Sequence, residues 1–225
     1  MRKDPFSLLR PYVDCLAVAF FEKSDDIAGD STAAEALGFP AAAGTHQVHG
    51  AQTVIVRGPL ARTEQADGMI TDTPGLLLCT RWADCQNFLI YAPERGVLGV
   101  LHAGWRGVIG GAVTGFYGVL HDEWGIEPAE TLVCAGPSLC RQCADFTDPV
   151  SELPGFPPDL IQGKCADLQQ AAHRQFLALG VQPEHFERDP DCTRHHPERY
   201  WTYRGGHRAE VQAKHTNMLA CGLRA

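Results

Sequence analysis

VLGVLHAGWRG, residues 97–107, changes character halfway along. Val97 to Leu101 is an apolar run with strand character, and the residues after it set His102, Trp105 and Arg106 among Gly104 and Gly107. A core strand has no use for that cluster. A helical repeat follows, in which Val108, Ile109, Ala112, Val113, Phe116, Val119 and Leu120 recur at helix spacing. A strand that ends at His102, turns through glycines and feeds a helix beginning near Val108 puts the histidine at a sheet edge beside unpaired helix N–H groups. That arrangement predicts an anion site, where Arg106 adds a fork of donors suited to phosphate or carboxylate. The plainer reading makes Arg106 a surface charge and Trp105 the filling of a corner.

Further strand-like runs lie on both sides. Cys15 to Phe21, Thr53 to Val56, Gly75 to Cys79, Asn87 to Tyr91 and Thr131 to Ala135 are short and apolar, and Gly, Pro, Asp or Glu punctuates most of them. Helical patterns cover Ser31 to Leu37 and the repeat Leu168, Ala171, Ala172, Phe176, Leu179. Strands and helices interleave, so the expected class is α/β, a layered α+β sandwich with a mixed sheet in a single domain over 1–225. Pro149 to Pro158, with four prolines, reads as a long surface loop. Met218 to Leu223 fits a closing strand or a helix.

Composition narrows the partners. A formal charge of -8 and no Lys/Arg run argue against a nucleic-acid backbone as ligand. The apolar patch from Val13 to Phe21 carries Asp14 and is too short to span a bilayer, so it reads as a first strand and the chain as neither exported nor membrane-bound. Nine cysteines, an odd number, suit free thiols in a reducing compartment, and the expected location is cytoplasmic.

Two more polar breaks interrupt the apolar runs. GTHQVHGAQTVIV holds His46, Gln47, His49 and Gly50, and CTRWADCQNFLIYAP holds Asp84 and Cys85. Together the three breaks offer His, Cys and His. Catalytic zinc sites use three protein ligands and leave a fourth position open, and two histidines with one cysteine is an attested set. The long spacing leaves buried structural Cys and His as the alternative.

In order, QVHG (47–50), ADGMIT (66–71), ADC (83–85), HAGWRG (102–107) and GPS (136–138) resemble the motifs of the bacterial YfiH or laccase-domain family, whose members have been called polyphenol oxidases, peptidoglycan editing factors and purine nucleoside phosphorylases. DCT (191–193) and WTYR (201–204) extend the likeness more loosely. The resemblance implies one zinc held by His49, Cys85 and His102. It also implies action on small molecules: phosphorolysis of adenosine, inosine, guanosine or methylthioadenosine, with phosphate as co-substrate, and hydrolytic deamination of adenosine. Arg106 would bind phosphate. Gln47 and Trp105 are candidate substrate contacts, and Asp84 is a candidate proton shuttle whose plainer role is to orient a ligand. Oligomeric state is not legible.

The chain also departs from that pattern. It lacks the family's glycine-rich opening and the Asn-Arg pair before QVHG, LCRQCADF follows GPS where a Tyr-Glu pair is usual, and WTYRGG replaces a second arginine by glycine. Asp145 would then stand for the acid.

Three rival readings compete. A copper polyphenol oxidase, or laccase, would need several histidines, often as His-x-His pairs, and none occurs; thiols suit zinc or cuprous ion better. A metal-free hydrolase would use Cys85 as nucleophile and His102 as base, a chemistry suited to peptidoglycan-precursor editing. Lastly, Cys140-x-x-Cys143 and Cys192-x-x-His195 have structural-zinc spacing within each pair, and a second ion could staple the C-terminal half.

Overall fold

Residues 1–27 and 29–225 are described in this computed structural model. In chain order the strands are β1 (Arg2–Lys3), β2 (Leu16–Phe21), β3 (Ala41–His46), β4 (Thr53–Ile55), β5 (Leu60–Gln65), β6 (Gly68–Thr71), β7 (Leu76–Trp82), β8 (Gln86–Ala92), β9 (Val97–Ala103), β10 (Leu132–Ala135), β11 (Ile161–Gln162), β12 (Cys165–Ala166), β13 (Phe186–Arg188) and β14 (Asn217–Leu223). The helices are α1 (Asp30–Leu37), α2 (Trp105–Ile109), α3 (Ala112–Trp124), α4 (Pro149–Glu152), α5 (Leu168–Leu179) and α6 (Arg208–Gln212). Two six-stranded mixed sheets form, ordered β1-β2-β14-β7-β3-β5 and β13-β10-β8-β9-β6-β4, beside a small β11-β12 ribbon.

Side-chain alternation builds the layers, because successive strand residues face opposite sides. Leu89 and Tyr91 of β8 join Val100, Phe20, Leu78 and Leu219 between the sheets. Their neighbours Phe88 and Ile90 turn outward onto Val113, Phe116 and Phe176 of α3 and α5. On the opposite face of the first sheet, Ala19, Leu77 and Ala220 meet Ala33 and Ala34 of α1. Small side chains on both partners let that short helix sit close. The result is a helix-sheet-sheet-helix stack, an α/β fold as the interleaved pattern predicts.

Local chemistry sets the element ends. Asp167 caps α5 by accepting from Gln170 N–H at 2.9 Å, and Gly180, at φ 113°, closes it. Between α2 and α3 the apolar repeat runs on but the backbone does not: Gly110 and Gly111 separate two helices, and Gly111 sits at φ 81°. The helix predicted near Val108 therefore starts three residues earlier, at Trp105, and is only five residues long. The predicted loop from Pro149 to Pro158 contains α4, and Leu153 and Phe156 are buried in the core, since a proline at the first helical position is compatible with a helix. Met218 to Leu223 is strand, the third member of its sheet. No helix among the described residues is long and apolar enough to cross a membrane.

Candidate metal site and cleft

The β8–β9 hairpin turns two distant motifs into neighbours. Its antiparallel register pairs Gln86 with Ala103 and Asn87 with His102, so Cys85, just before β8, meets Gly104, just after β9. A Cβ on Gly104 would lie 2.9 Å from Cys85 Sγ and 3.1 Å from His49 Cδ2. Only glycine lets the three groups close up. His49 arrives from the loop after β3, held at φ 61°, and Asp84, directly before Cys85, sits at φ 80°. Such left-handed backbone is costly for residues other than glycine and persists where the surroundings enforce it.

At His49 the enforcing group is Asp67. β6 pairs with β9, Gly68 opposite Leu101, which places Asp67 beside His102. Its buried carboxylate accepts from the backbone N–H groups of Val48 at 3.2 Å, His49 at 3.0 Å and Gly50 at 2.7 Å, and from His102 Nδ1 at 2.8 Å. An ionised carboxylate only accepts, so Nδ1 keeps its proton, and the proton lost when His102 becomes a ligand is the one on Nε2. One carboxylate thus orients both histidines. Burial pushes the Asp67 carboxyl up, but the His102 hydrogen bond and the Gly50 and Val48 N–H groups outweigh it and leave it below the usual range.

The donor atoms of His49, Cys85 and His102 all lie within 4.8 Å of one another, and the two imidazole rings stand 5.0 Å apart at 79°. A tetrahedral ion holds N and S donors about 3.4 to 3.8 Å apart, so a small contraction suffices. Burial raises the Cys85 thiol, yet the charge and hydrogen bonds of His102, with those of His49, bring it down to about 6. His102 is lowered by burial and raised further by Cys85 and Asp67, to about 9. Before any ion binds, the cluster favours a thiolate. A soft anionic sulfur with two imidazoles suits a borderline cation and leaves a coordination position open to the cleft.

That cleft measures about 610 Å³. Although the chain is acidic overall, the wall carries Arg62, Arg81, Arg106, Arg204 and Lys214 against Asp84 alone among its carboxylates. Arg62 is committed to Asp30 and to the carbonyls of Thr45 and Cys79. Arg81 reaches Asp30 only as an ion pair at 3.7 Å. Arg106 is exposed and stacks on the Trp105 ring at 4.2 Å.

Gln47, Asp84, Trp105 and Arg106, with His46, all line this cleft. Their attachments differ from the expectations. Gln47 spends its amide on the backbone of Arg81, donating to its carbonyl at 2.7 Å and accepting from its N–H at 2.8 Å. Asp84 has both oxygens engaged, by Thr193 Oγ1 and by Arg204 N–H, each at 2.7 Å. It holds the wall. Trp105 is half-buried and packs edge-on against Phe146 at 6.2 Å. The five-residue α2 has a small dipole, so the helix start expected to form an anion site adds little positive potential of its own. Asp145, expected to stand for the family's acid, is exposed and paired with Arg194 and Arg204. Sequence reading did not single out Asp67, Arg81, Tyr203, Arg204 or Lys214; for Asp67 the signal was present in ADGMIT, because an acid flanked by small residues before an apolar run has no packing role, and for Tyr203 and Arg204 it was present in WTYR.

Comparisons with known proteins place the chain among relatives in sequence and fold. Purine nucleoside phosphorylase YlmD of Geobacillus stearothermophilus is 34% identical over 137 residues, covering 56% of this chain and 50% of that protein. Purine nucleoside phosphorylase ORF3 of Streptomyces griseus is 31% identical over 157 residues, covering 66% and 63%. The matched segments thus span about half to under two thirds of those relatives. The crystal structure of YlmD from Geobacillus stearothermophilus superposes with a TM-score of 0.79 at 25% identity, covering 99% of this chain and 94% of that one. The Bacillus licheniformis protein YfiH, at 0.78 and 20% identity over 93% of both chains, shares the fold. Residues 28–216 match the family described as multi-copper polyphenol oxidoreductase laccase, and the chain belongs to that family.

Proposed function

We propose that this chain is a zinc-dependent purine nucleoside phosphorylase, acting on adenosine, inosine, guanosine or methylthioadenosine with phosphate. The observation that carries the reading is a three-donor His-Cys-His cluster opening into a cleft with a basic wall in an acidic chain. The relatives named purine nucleoside phosphorylases support it. His49, Cys85 and His102 would hold the ion, and zinc, when bound, would supply Lewis acidity toward a phosphate or substrate oxygen.

The remaining chemistry belongs to side chains of this cleft. Arg106, with Arg81 and Lys214, binds the phosphate and keeps it beside the ribose; Arg106 can stay on the Trp105 face while it does so. Trp105 flanks the base. A phosphate oxygen then forms a bond to C1′ as the C1′–N9 bond breaks, the electron pair passes to the purine, and the purine takes up a proton. Free base and ribose 1-phosphate result. Asp84, with both oxygens engaged, positions Cys85 and the Arg204 backbone rather than carrying protons. Arg81, a second guanidinium on the cleft wall beside Arg106, would take the place of the arginine absent from the chain's opening.

Product analysis tests this reading. Adenosine incubated with the purified chain should give adenine and ribose 1-phosphate only when phosphate is present. Inosine formed at a rate indifferent to phosphate would replace phosphorolysis by deamination, and phenol oxidation without either product would return the site to the oxidase reading. Arg106→Ala should raise the phosphate KM about 10- to 100-fold, the loss of charged hydrogen bonds.

A further inference from the structure

A second cluster of metal-binding side chains lies outside the open site. Cys140 and Cys143 stand on a turn after the Gly136-Pro137-Ser138 segment, and Cys192 and His195 on a turn after β13. A parallel bridge between Ser138 and Cys192 sets the two turns side by side, so members 52 residues apart in both pairs come into register. The four donor atoms all lie within 4.8 Å of one another. Cys143 Sγ is 3.3 Å from His195 Nε2, and Cys140 N–H donates to Cys192 Sγ at 3.3 Å.

We propose that Cys140, Cys143, Cys192 and His195 form a second, structural zinc site. Three arguments carry it. The set is complete: three sulfurs and one imidazole fill a tetrahedral shell and leave no position for substrate, which is the arrangement of structural rather than catalytic zinc. The spacing is right: each pair is separated by two residues, which lets one turn present both donors to one ion. The surroundings fit an ion better than a small core. Cys143 and Cys192 are buried and Cys140 half-buried, with Leu139, Ala144 and Leu168 around them, and His195 closes the solvent side. A fourth thiol nearby is already committed, since Cys165 Sγ donates to the Gln142 carbonyl at 3.6 Å.

The site has work to do in this fold. Among the described residues, the stretch between the two turns holds α4, the two-residue strands β11 and β12, α5 and β13, which is little sheet to anchor it. An ion joining residues 140–143 to 192–195 closes that excursion into a loop and removes its freedom from the unfolded chain. It also backs the cleft. Leu139, on the cleft wall, precedes Cys140, and Thr193, beside Cys192, donates to Asp84, which precedes Cys85. Ordering the second site therefore orders the wall of the first.

Metal content measured on the full chain, purified under reducing conditions, decides the matter. Two zinc ions per chain are expected in the wild type and one in Cys85→Ala. His195→Ala, which removes an exposed donor without opening the core, should hold its second ion at least 10-fold more weakly in a chelator competition. His195→Cys, which restores a fourth donor, should retain both ions. Thermal unfolding should shift down by about 10 °C in Cys143→Ser, and zinc should not restore it. One ion in the wild type and none in Cys85→Ala would overturn the proposal. So would a disulfide among Cys140, Cys143 and Cys192 in the reduced preparation, or an unchanged metal content in both His195→Ala and Cys143→Ser.

Discussion

The two Cys/His clusters are built from the same side-chain types and differ in closure. His49, Cys85 and His102 offer three donors on the wall of a 610 Å³ cleft, with a buried carboxylate behind the histidines. Cys140, Cys143, Cys192 and His195 offer four, against a small apolar cluster. An open shell leaves room for substrate; a full shell leaves none. The difference teaches that ligand count and what lies opposite the ligands, rather than ligand chemistry, separate a reactive centre from a staple. Mutations at the first should act chiefly on rates, and mutations at the second chiefly on stability, with a smaller loss of rate passed on through the shared wall.

The largest effect should come from the open cluster itself. Cys85→Ala or His102→Ala should lower kcat/KM for phosphorolysis by at least about 1,000-fold in a steady-state assay. A variant that kept its rate would break the comparison at once. Next comes the shared anchor. Asp67→Asn keeps the shape but loses the charge that accepts from three backbone N–H groups and His102, and zinc affinity should fall about 10- to 100-fold in a competition titration. Gly104→Ala sharpens the same point, because its methyl would press on Cys85 Sγ and His49 at once; about a 10-fold loss of affinity is expected, about the lower bound for disturbing a ligand's support.

A smaller effect separates the cysteines by reactivity. In chelated protein the Cys85 thiol, brought down to about 6, is a thiolate above that pH and a thiol below it. Its alkylation, followed by peptide mapping, should therefore rise through pH 6 and level off near neutrality. Cys79 and Cys221, whose thiols burial pushes up, should stay unmodified across the same range.

Much of the open site was legible in the sequence because its signals are local. QVHG, ADC and HAGWRG each place a donor in a polar break between apolar runs, and the β8–β9 turn, Glu94-Arg95-Gly96, fixes a register in which Cys85 must meet Gly104. The strands with strong apolar patterns were legible for the same reason. β3 was not, since Ala41-Ala42-Ala43-Gly44 has poor strand propensity and is held by β7 and β5 on either side. The division into two sheets is equally silent, because it depends on which strands pair. Asp67 was visible as a motif residue but not as an anchor, for its four hydrogen-bond partners come from two other segments. The second cluster was readable only as two half-signals. Closing the 52-residue gap requires the Ser138–Cys192 bridge, a tertiary fact no spacing rule contains.

Anomalous scattering from crystals of the full chain, collected on both sides of the zinc and copper absorption edges, tests the account most directly. Two peaks with the zinc signature are expected, one among His49, Cys85 and His102 facing the cleft, the other enclosed by Cys140, Cys143, Cys192 and His195. A copper signature at the first position, or no peak there in crystals grown from active protein, would contradict it.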